Sequence, residues 1–449
     1  MYPGLSSYLS ARLLDRAGGH RARVLDLFRQ RRQADYYSRL RLDAVRGEAL
    51  ARLLNHARVC VPRIRAALGS RGEIAPAEAL AVLQQLPVMR RADIQAQSAS
   101  FIAEGATGLT DDFTGGSSGT PLCFKVDRAT QQAREASLYW ANSLAGWRYG
   151  ERIAMLWGSD RDSAAARRNW RLEARWLVDN MRWYNAFNMG EDRMEEFHRA
   201  MTRFRPHLIV AYAGSIFTYA RYLEQVNQSP NYPITSIVSS AEVITPAMRE
   251  VVERVFKVPV FDRYGNREAG AIAAECEAHQ GLHINEGDFV VEIDSRNPYS
   301  EPGPLLITYL ANQAMPLIRY DTGDLATWSR KPCPCGRTTL RLARVVGRQS
   351  DNIRTASGKL IHGEYFTHLL YGIPQVREFQ FIQETLQRYR LLLVADASLP
   401  APVLERMKTT ILNEVGAQCK VTVERVESIP VLSSGKRKFT LSLVDQPAR

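Results

Sequence analysis

The sequence predicts an α/β protein: a large N-terminal part of layered sheets and helices, then a small α+β part at the C-terminal end. Three observations carry this. Between residues 110 and 270, short apolar runs alternate with helical segments: "RIAMLWG", "HLIVAYAG", "SIVSSAE" and "VPVFDRYG". Each run ends in glycine or small residues before a helical stretch, which is the pattern of strands with ligand loops at their ends. From 287 to 330 the pattern turns to strands, in "DFVVEID", "GPLLITYL" and "PLIRYDTGDLATW". The stretch from about 350 to 449 reads as a mixture of strand and helix.

Residues 1 to about 100 read as amphipathic helices. "LDLFRQRRQADYYSRLRL" and "EALARLLNHARVCVPRIRAAL" carry apolar residues at helical spacing. Pro62 and Gly69 punctuate the second. Further on, "RWLVDNMRWYNAFNMG" has aromatics at helical spacing, a pattern of packing rather than of ligand contact. "VVGRQSDNI" is read as a hinge. It divides the chain into residues 1–346 and 347–449, with a β-rich insertion at about 275–337 in the first part. No internal repeat and no low-complexity segment is found.

The chain has 449 residues, 45% apolar and 24% charged, with a net charge of +12. No run of about 18 apolar residues exists, so no membrane span is expected. The opening "MYPGLSSYLSARLLDRAGGHRARVL" lacks a basic-then-apolar signal design, so a cytoplasmic location is expected. Lysine supplies only eight of the 59 basic residues. The charge fits a surface that attracts anions such as nucleotides, acidic glycans or a membrane face, or, the preferred reading, a general richness in arginine; with no aromatic-interleaved basic stripe, nucleic acid is not expected as a partner. Six cysteines are too sparse for a disulfide scaffold in a chain of this length.

The stretch "DFTGGSSGTPLCFKV" is shaped like no core strand. Glycines let backbone N–H groups approach a phosphate, and hydroxyls add donors. Thr114, Gly115, Gly116, Ser117, Ser118 and Gly119 therefore suit a triphosphate. It is not a Walker loop, because no Gly-Lys-Ser/Thr follows and Thr120-Pro121 breaks that design. By itself the loop fits a phosphate cradle and a plain surface loop equally.

Three later segments shift that balance. In "FDRYGNREAG", Tyr264 leaves a strand and enters the Gly265-Asn266 turn, placing an aromatic face where an adenine can stack. Glu268 follows and suits a hard cation such as Mg²⁺, with Arg267 as a phosphate partner. In "RYDTGDLATW", Asp321 and Asp324 flank a tight turn, where a carboxylate can accept both hydroxyls of a ribose. In "SSGKRKF", Lys436 is a scarce lysine behind a glycine, a point charge able to reach a phosphate or carboxylate. Each alone reads as a turn; together and in this order they read as a nucleotide site. Trp157, Tyr212 and Phe217 sit at strand ends and fit either an acyl pocket or the core, with core preferred for Phe217. Lys125 reads as a solvated strand residue.

The order of "TGGSSGTP", "SSAEV", "DRYGNREAG", "YDTGDL", "VVGRQSDNI" and "SSGK" resembles the adenylate-forming enzymes: acyl-CoA synthetases, adenylation domains and luciferases. Within them the sequence is most similar to the phenylacetate–CoA ligase group and its capsular-polysaccharide-biosynthesis branch. "LLNHARVCVPRIRAAL" and "LPVMRRADI" also resemble that group's opening helices. The resemblance spans nearly the whole chain, and "YDTGDL" is its most specific motif.

The resemblance implies an AMP-forming ligase with a mobile C-terminal domain. Thr114 to Thr120 would hold the β- and γ-phosphates. Ala241 and Glu242 would line the adenine pocket, with Tyr264 stacked on the base. Glu268 would bind Mg²⁺, and Asp324 and Arg348 would hold the ribose. Lys436 would bridge carboxylate and α-phosphate. The substrates would be ATP and a small carboxylic acid, and the acceptor coenzyme A, an amine or a hydroxyl, the last two in surface-glycan synthesis. An adenylyltransferase leaving AMP on its substrate, or a nucleotide-binding protein without turnover, is the alternative. A homodimer is compatible with all of these.

Four departures stand out. Thr120 replaces a common lysine, and Arg267 stands where serine or threonine is usual. The hinge reads Gly347-Arg348-Gln349-Ser350-Asp351, so the pivot falls on Ser350 or Asp351. "RTASGKLIHGEYF" does not read like the glycine loop that receives coenzyme A. The acyl-transfer half-reaction is therefore the part the resemblance supports least.

"AECEAHQGLHI" and "KPCPCGR" offer thiolates and imidazoles on two segments about 50 residues apart. Cys276, His283, Cys333 and Cys335 suit a closed tetrahedral zinc site, with His279 in reserve. Similar Cys/His sets occur in the phenylacetate–CoA ligase group. Four protein ligands leave no open position, so such a zinc would be structural.

Overall fold

The computed structural model describes residues 19–113, 122–157, 179–186, 191–348, 353–357, 360–361, 366, 369–370, 373, 375–395, 398–429 and 439–444. Helices α1 (His20–Ala34), α2 (Arg39–Cys60), α3 (Pro62–Leu68), α4 (Ala79–Gln85) and α5 (Arg91–Ala96) come first. The continuous amphipathic run expected across 25–42 is broken between α1 and α2. Asp35 closes α1, and Ser38 starts the next helix by accepting the Arg41 amide. The break at Pro62 follows expectation: Pro62 sits at the first position of α3, and Gly69, at φ 57°, ends it.

Strands β1 (Thr110–Phe113) and β2 (Cys123–Val126) pair as a hairpin. Helix α6 (Arg128–Leu144) follows, capped by Asp127, which accepts the Thr130 amide at 2.7 Å. The main sheet begins with β3 (Ile153–Leu156), β4 (Met181–Tyr184), β5 (Leu208–Tyr212), β6 (Ser236–Ser240) and β7 (Val260–Asn266). Between them lie α7 (Glu191–Phe204), α8 (Ala213–Gln225) and α9 (Pro246–Phe256). Then come β8 (Gly270–Glu275), β9 (Leu282–Ile284), β10 (Phe289–Ile293), β11 (Gly303–Tyr309), β12 (Tyr320–Trp328) and β13 (Arg341–Arg348).

These eleven strands form one sheet, ordered β10-β11-β12-β13-β9-β8-β7-β6-β5-β3-β4. From β4 to β7 every pairing is parallel; from β7 to β10 every pairing is antiparallel. The parallel half reads as continuous apolar runs because helices cover both faces, and all residues of β5 and β6 are buried. One face carries α7, α8 and α9. Met248, Val252 and Phe256 recur at helical spacing along α9 and pack on Ile237 and Val260. Each such buried side chain contributes about 1.5–3 kcal/mol. The other face carries α1 and α6, packed on Val210, Val238 and Phe261.

One local expectation is corrected. The described part of "RWLVDNMRWYNAFNMG" holds the parallel edge strand β4, not a helix. Asp321 and Asp324 flank a tight turn that is a bulge inside β12, where the pairing with β11 shifts between Pro304 and Leu306 and Gly323 takes φ 77°.

The C-terminal residues build separate sheets. β14 (Ile353–Arg354) pairs with β15 (Leu360–Ile361). β16 (Val376–Gln383), β17 (Arg388–Ala395), β18 (Lys420–Arg425) and β19 (Thr440–Ser442) form a sheet ordered β18-β17-β16-β19. Helix α10 (Ala401–Val415) connects the parallel pair β17 and β18 and buries Met407, Ile411 and Val415 in a core with Phe366, Phe379 and Phe381. Among the described residues no helix is long and apolar enough to cross a membrane.

Candidate functional site

The parallel strands end together, and Ala241, Glu242 and the stretch Tyr264 to Glu268 lie at or just past two of those ends. In an open α/β sheet this edge is where ligands bind. Ala241, just past β6, takes φ 68°, which turns the chain sharply away from the sheet. Glu242 then points back, and its Oε2 accepts the Gly214 amide at 2.8 Å at the start of α8. An anionic oxygen there complements the positive end of the helix.

At the end of β7 the chain doubles back into β8. Gly265 pairs with Ala271, and a Cβ at Gly265 would lie 2.2 Å from the Gly270 carbonyl oxygen. Only glycine fits that approach. Asn266 Oδ1 accepts the Ala269 amide at 2.9 Å and fixes the tip. Tyr264 is thereby presented beside β12, where its hydroxyl donates to Asp324 Oδ2 at 2.7 Å. Within the bulge, Asp321 Oδ1 accepts the Gly323 amide at 2.9 Å, so Asp324 rather than Asp321 faces Tyr264. In the β12–β13 ladder the backbone of Arg348 lies opposite Asp324.

Glu268 is buried and accepts a hydrogen bond from the Tyr320 hydroxyl at 3.1 Å. Tyr320 is the first residue of β12 and was not singled out from sequence. Arg267 donates to the carbonyl oxygen of Phe113 at 3.2 Å. Phe113 immediately precedes the Thr114–Thr120 loop, so Arg267 ties the Tyr264 turn to the entrance of that loop. Lys125 pairs with Asp111 across the β1–β2 hairpin, as a surface strand residue should.

Thr114, Gly115, Gly116, Ser117, Ser118, Gly119, Thr120, Gln349, Ser350, Asp351, Lys436 and Lys438, with the side chain of Arg348, lie outside the described residues. Of the aromatic candidates, Trp157 and Tyr212 pack with ring centroids 4.2 Å apart and ring planes tilted by 32°. Tyr212 is buried, and Phe217 packs against the α7–α9 core.

A second constellation forms away from the strand ends. Cys276 follows β8, His283 lies in β9, and Cys333 and Cys335 lie between β12 and β13. Because β9 pairs with both β8 and β13, the two distant segments meet. The four ligand atoms all lie within 4.8 Å of one another. Cys276 Sγ is 3.6 Å from Cys333 Sγ, and Cys335 Sγ is 3.4 Å from His283 Nε2. A tetrahedral zinc with sulfur ligands at about 2.3 Å requires edges of roughly this length, near 3.5–3.8 Å.

His283 Nδ1 meets Thr339 Oγ1 at 2.8 Å, which leaves Nε2 turned to the cluster. Burial, helped by Arg337 and Arg341, pulls the His283 pKa down to about 3, so the ring is neutral and able to ligate. Burial raises the Cys276 thiol. At Cys335 burial acts in the same sense, but hydrogen bonds from the Arg337 amide and side chain bring the net shift below the usual thiol range. His279 is turned elsewhere: its Nδ1 lies 3.3 Å from Glu275, and its ring packs on Phe261.

Residues 353–442 match the model of the CapK C-terminal domain family. The chain is similar to the CapK protein of Staphylococcus aureus, 21% identical over 374 residues and 81% of each chain. It is similar to a phenylacetate–coenzyme A ligase of Thermus thermophilus, 30% identical over 273 residues. That match covers 54% of this chain and 61% of the ligase, under two thirds of its length. Among solved structures, 2-hydroxyisobutyryl-CoA ligase in the postadenylation state with R3-HIB-AMP superposes with a TM-score of 0.71, at 17% identity over 92% of each chain. An anthranilate CoA ligase in complex with anthranoyl-AMP gives 0.55, at 14% identity over 73% of this chain and 64% of that one.

Proposed function

We propose that this chain, a homologue of CapK and of the phenylacetate–coenzyme A ligases with the adenylate-forming ligase fold, activates a carboxylic acid with ATP and passes the acyl group to an acceptor. The observation that carries the reading is the grouping at the end of β7: Tyr264 bonded to Asp324, Glu268 buried and bonded to Tyr320 of the same strand as Asp324, and Arg267 tied to the loop entrance.

In this reading the adenine stacks on Tyr264 beside Ala241 and Glu242, and Asp324 accepts the ribose hydroxyls. Gly265 and Asn266 shape the turn that holds the ring in place. The Thr114–Thr120 loop donates to the terminal phosphates, with Arg267 and Phe113 fixing where that loop begins. Glu268 is the carboxylate that would hold Mg²⁺, which supplies charge neutralisation at the phosphates. The acid's carboxylate oxygen attacks the α-phosphorus in line, forming a P–O bond as pyrophosphate leaves. Lys436 donates to both partners, so the chain's work is positioning and charge compensation. Arg348 completes the ribose contact.

Residues 347–449 form the mobile part and 1–346 the large domain, pivoting near Ser350 or Asp351. Coenzyme A and an amine or hydroxyl are the competing acceptors. The resemblance to the capsular-polysaccharide-biosynthesis branch supports an acceptor in surface-glycan synthesis, and the ligase relatives support coenzyme A. Zinc in the Cys276, His283, Cys333 and Cys335 set is structural. That site sits against the end of α1, where the Thr338 amide donates to the Asp35 carbonyl oxygen at 2.8 Å, so it ties the N-terminal helices to the sheet.

The test is pyrophosphate release from ATP with a panel of carboxylic acids. Acid-dependent release supports activation, and consumption of coenzyme A or of an amine in the second step assigns the acceptor. Release that ignores the acid contradicts the proposal.

A further inference from the structure

Arg263 stands immediately before Tyr264 and is buried, yet its described partners are neutral. Its Nε donates to Ser240 Oγ at 3.3 Å and its Nη1 to Asn142 Oδ1 at 3.3 Å. Among the described residues no carboxylate lies within ion-pair distance of the guanidinium. Burial pulls its pKa down to about 10, against the raising charge of the adjacent Asp262, which still leaves a cation at neutral pH. A buried cation with no directly bonded anion is costly, and a bound ligand can supply that partner.

Its position says what that is. Parallel register places Tyr212 beside Ser240 and Ser240 beside Arg263. Trp157 follows Leu156, which pairs with Ala211, so it heads the same row. Trp157 and Tyr212 pack ring against ring at a tilt, and the Arg263 guanidinium lies 5.9 Å from the Trp157 ring centroid. The row Trp157, Tyr212, Ser240, Arg263 crosses the C-terminal edge of four parallel strands, on one face. Tyr264, the next residue, points to the opposite face and meets Asp324. The nucleotide residues and the Arg263 row therefore occupy different sides of β7.

We propose that Arg263 is the specificity-determining residue of the acid pocket, and that the acid carries a second anionic group that docks on its guanidinium against the Trp157 and Tyr212 rings. This rests on the activation reading above. The carboxylate that reacts is the wrong partner, because adenylation converts it to an uncharged acyl carbonyl and leaves the negative charge on the phosphoryl group. A cation paired with it would stabilise the ground state and lose its partner in the product. A second carboxylate stays ionised throughout and keeps the cation paired. The two rings supply the flat apolar walls between the acid's two ends.

The test measures acid-dependent ATP–pyrophosphate exchange with two pairs of probes, benzoate against isophthalate and propionate against succinate. Wild type and the variants Arg263→Met and Arg263→Lys are compared. In at least one pair, wild type is expected to favour the doubly charged acid by at least about tenfold in kcat/KM. Arg263→Met reverses that preference at unchanged KM for ATP, and Arg263→Lys retains part of it. Arg263→Met alone, without acid, melts no lower than wild type, since it removes an unpaired charge. Wild-type preference for the singly charged acid in both pairs overturns the proposal, whether or not the methionine variant folds. So does an unchanged preference in a folded Arg263→Met. Both of those outcomes leave the activation reading standing. Absence of exchange with every acid overturns that reading and this one with it.

Discussion

The Tyr264 hydroxyl donates a 2.7 Å hydrogen bond to Asp324 Oδ2, joining the end of β7 to the bulge in β12. In the proposed reading Tyr264 serves the adenine and Asp324 the ribose. The bond fixes the distance between the two halves of a nucleoside site before any nucleotide arrives. Tyr264→Phe keeps the ring and removes only this bond. It is expected to raise the KM for ATP about three- to tenfold with little change in kcat, the size of one hydrogen bond. Steady-state kinetics at saturating acid checks this. A larger rise from Tyr264→Phe than from Asp324→Ala would contradict the assignment of the ribose to Asp324.

Gly265 is required by contact rather than by flexibility. A methyl group would sit 2.2 Å from the Gly270 carbonyl oxygen, and that backbone is held against α6, where the Ser137 hydroxyl receives the Ala271 amide at 3.0 Å. Gly265→Ala must therefore push the β7–β8 hairpin apart, at a cost of roughly 3 kcal/mol or more. Thermal unfolding should show a clear loss of stability, and ATP binding should weaken with it.

The zinc proposal is checked without any activity assay. Metal analysis of protein purified without added metal is expected to give about one zinc per chain. The Cys333→Ser, Cys335→Ser double variant should lose it and melt lower by roughly 5 °C or more. His279→Ala should keep the metal, since that ring faces Glu275. Metal-free wild type with an unaffected double variant would make these ordinary cysteines.

The sequence makes the parallel half of the sheet legible because β5 and β6 are buried on both faces and read as unbroken apolar runs. It hides β4, whose aromatics at residues 183 and 184 continue a helical spacing although the segment pairs with β3. Edge strands lack the two-sided burial that marks the central ones. "YDTGDL" shows its turn chemistry plainly, but nothing local says that the turn is a bulge within one strand. The four Cys/His residues are visible as candidates; what joins them is the pairing of β9 with both β8 and β13, a tertiary fact. Arg263 is a charged residue in the middle of β7, following Asp262, which was the available signal. Its burial against Ser240 and Asn142 depends on register and could not be read from the chain.

Lys436 lies outside the described residues, and its role rests on the motif alone. A compact ammonium can approach a carboxylate oxygen and an α-phosphate oxygen together, where a planar guanidinium is too bulky. Lys436→Ala is expected to slow acyl-adenylate formation at least about a hundredfold, some 2.7 kcal/mol of transition-state stabilisation. Acyl transfer from supplied acyl-adenylate should survive, and Lys438→Ala should leave both steps near normal. If only Lys438 matters, the lysine is misassigned.

The central claim is tested most directly by isotope exchange between pyrophosphate and ATP, run across an acid panel for wild type and Glu268→Gln. Glu268 is buried and hydrogen-bonded to Tyr320, so the amide keeps the shape while removing the charge. Wild type is expected to exchange only when a suitable acid is present. Glu268→Gln should bind ATP yet lose exchange by at least about a hundredfold. Exchange at the wild-type rate in Glu268→Gln, or wild-type exchange that does not depend on any acid, would contradict acid activation at this site.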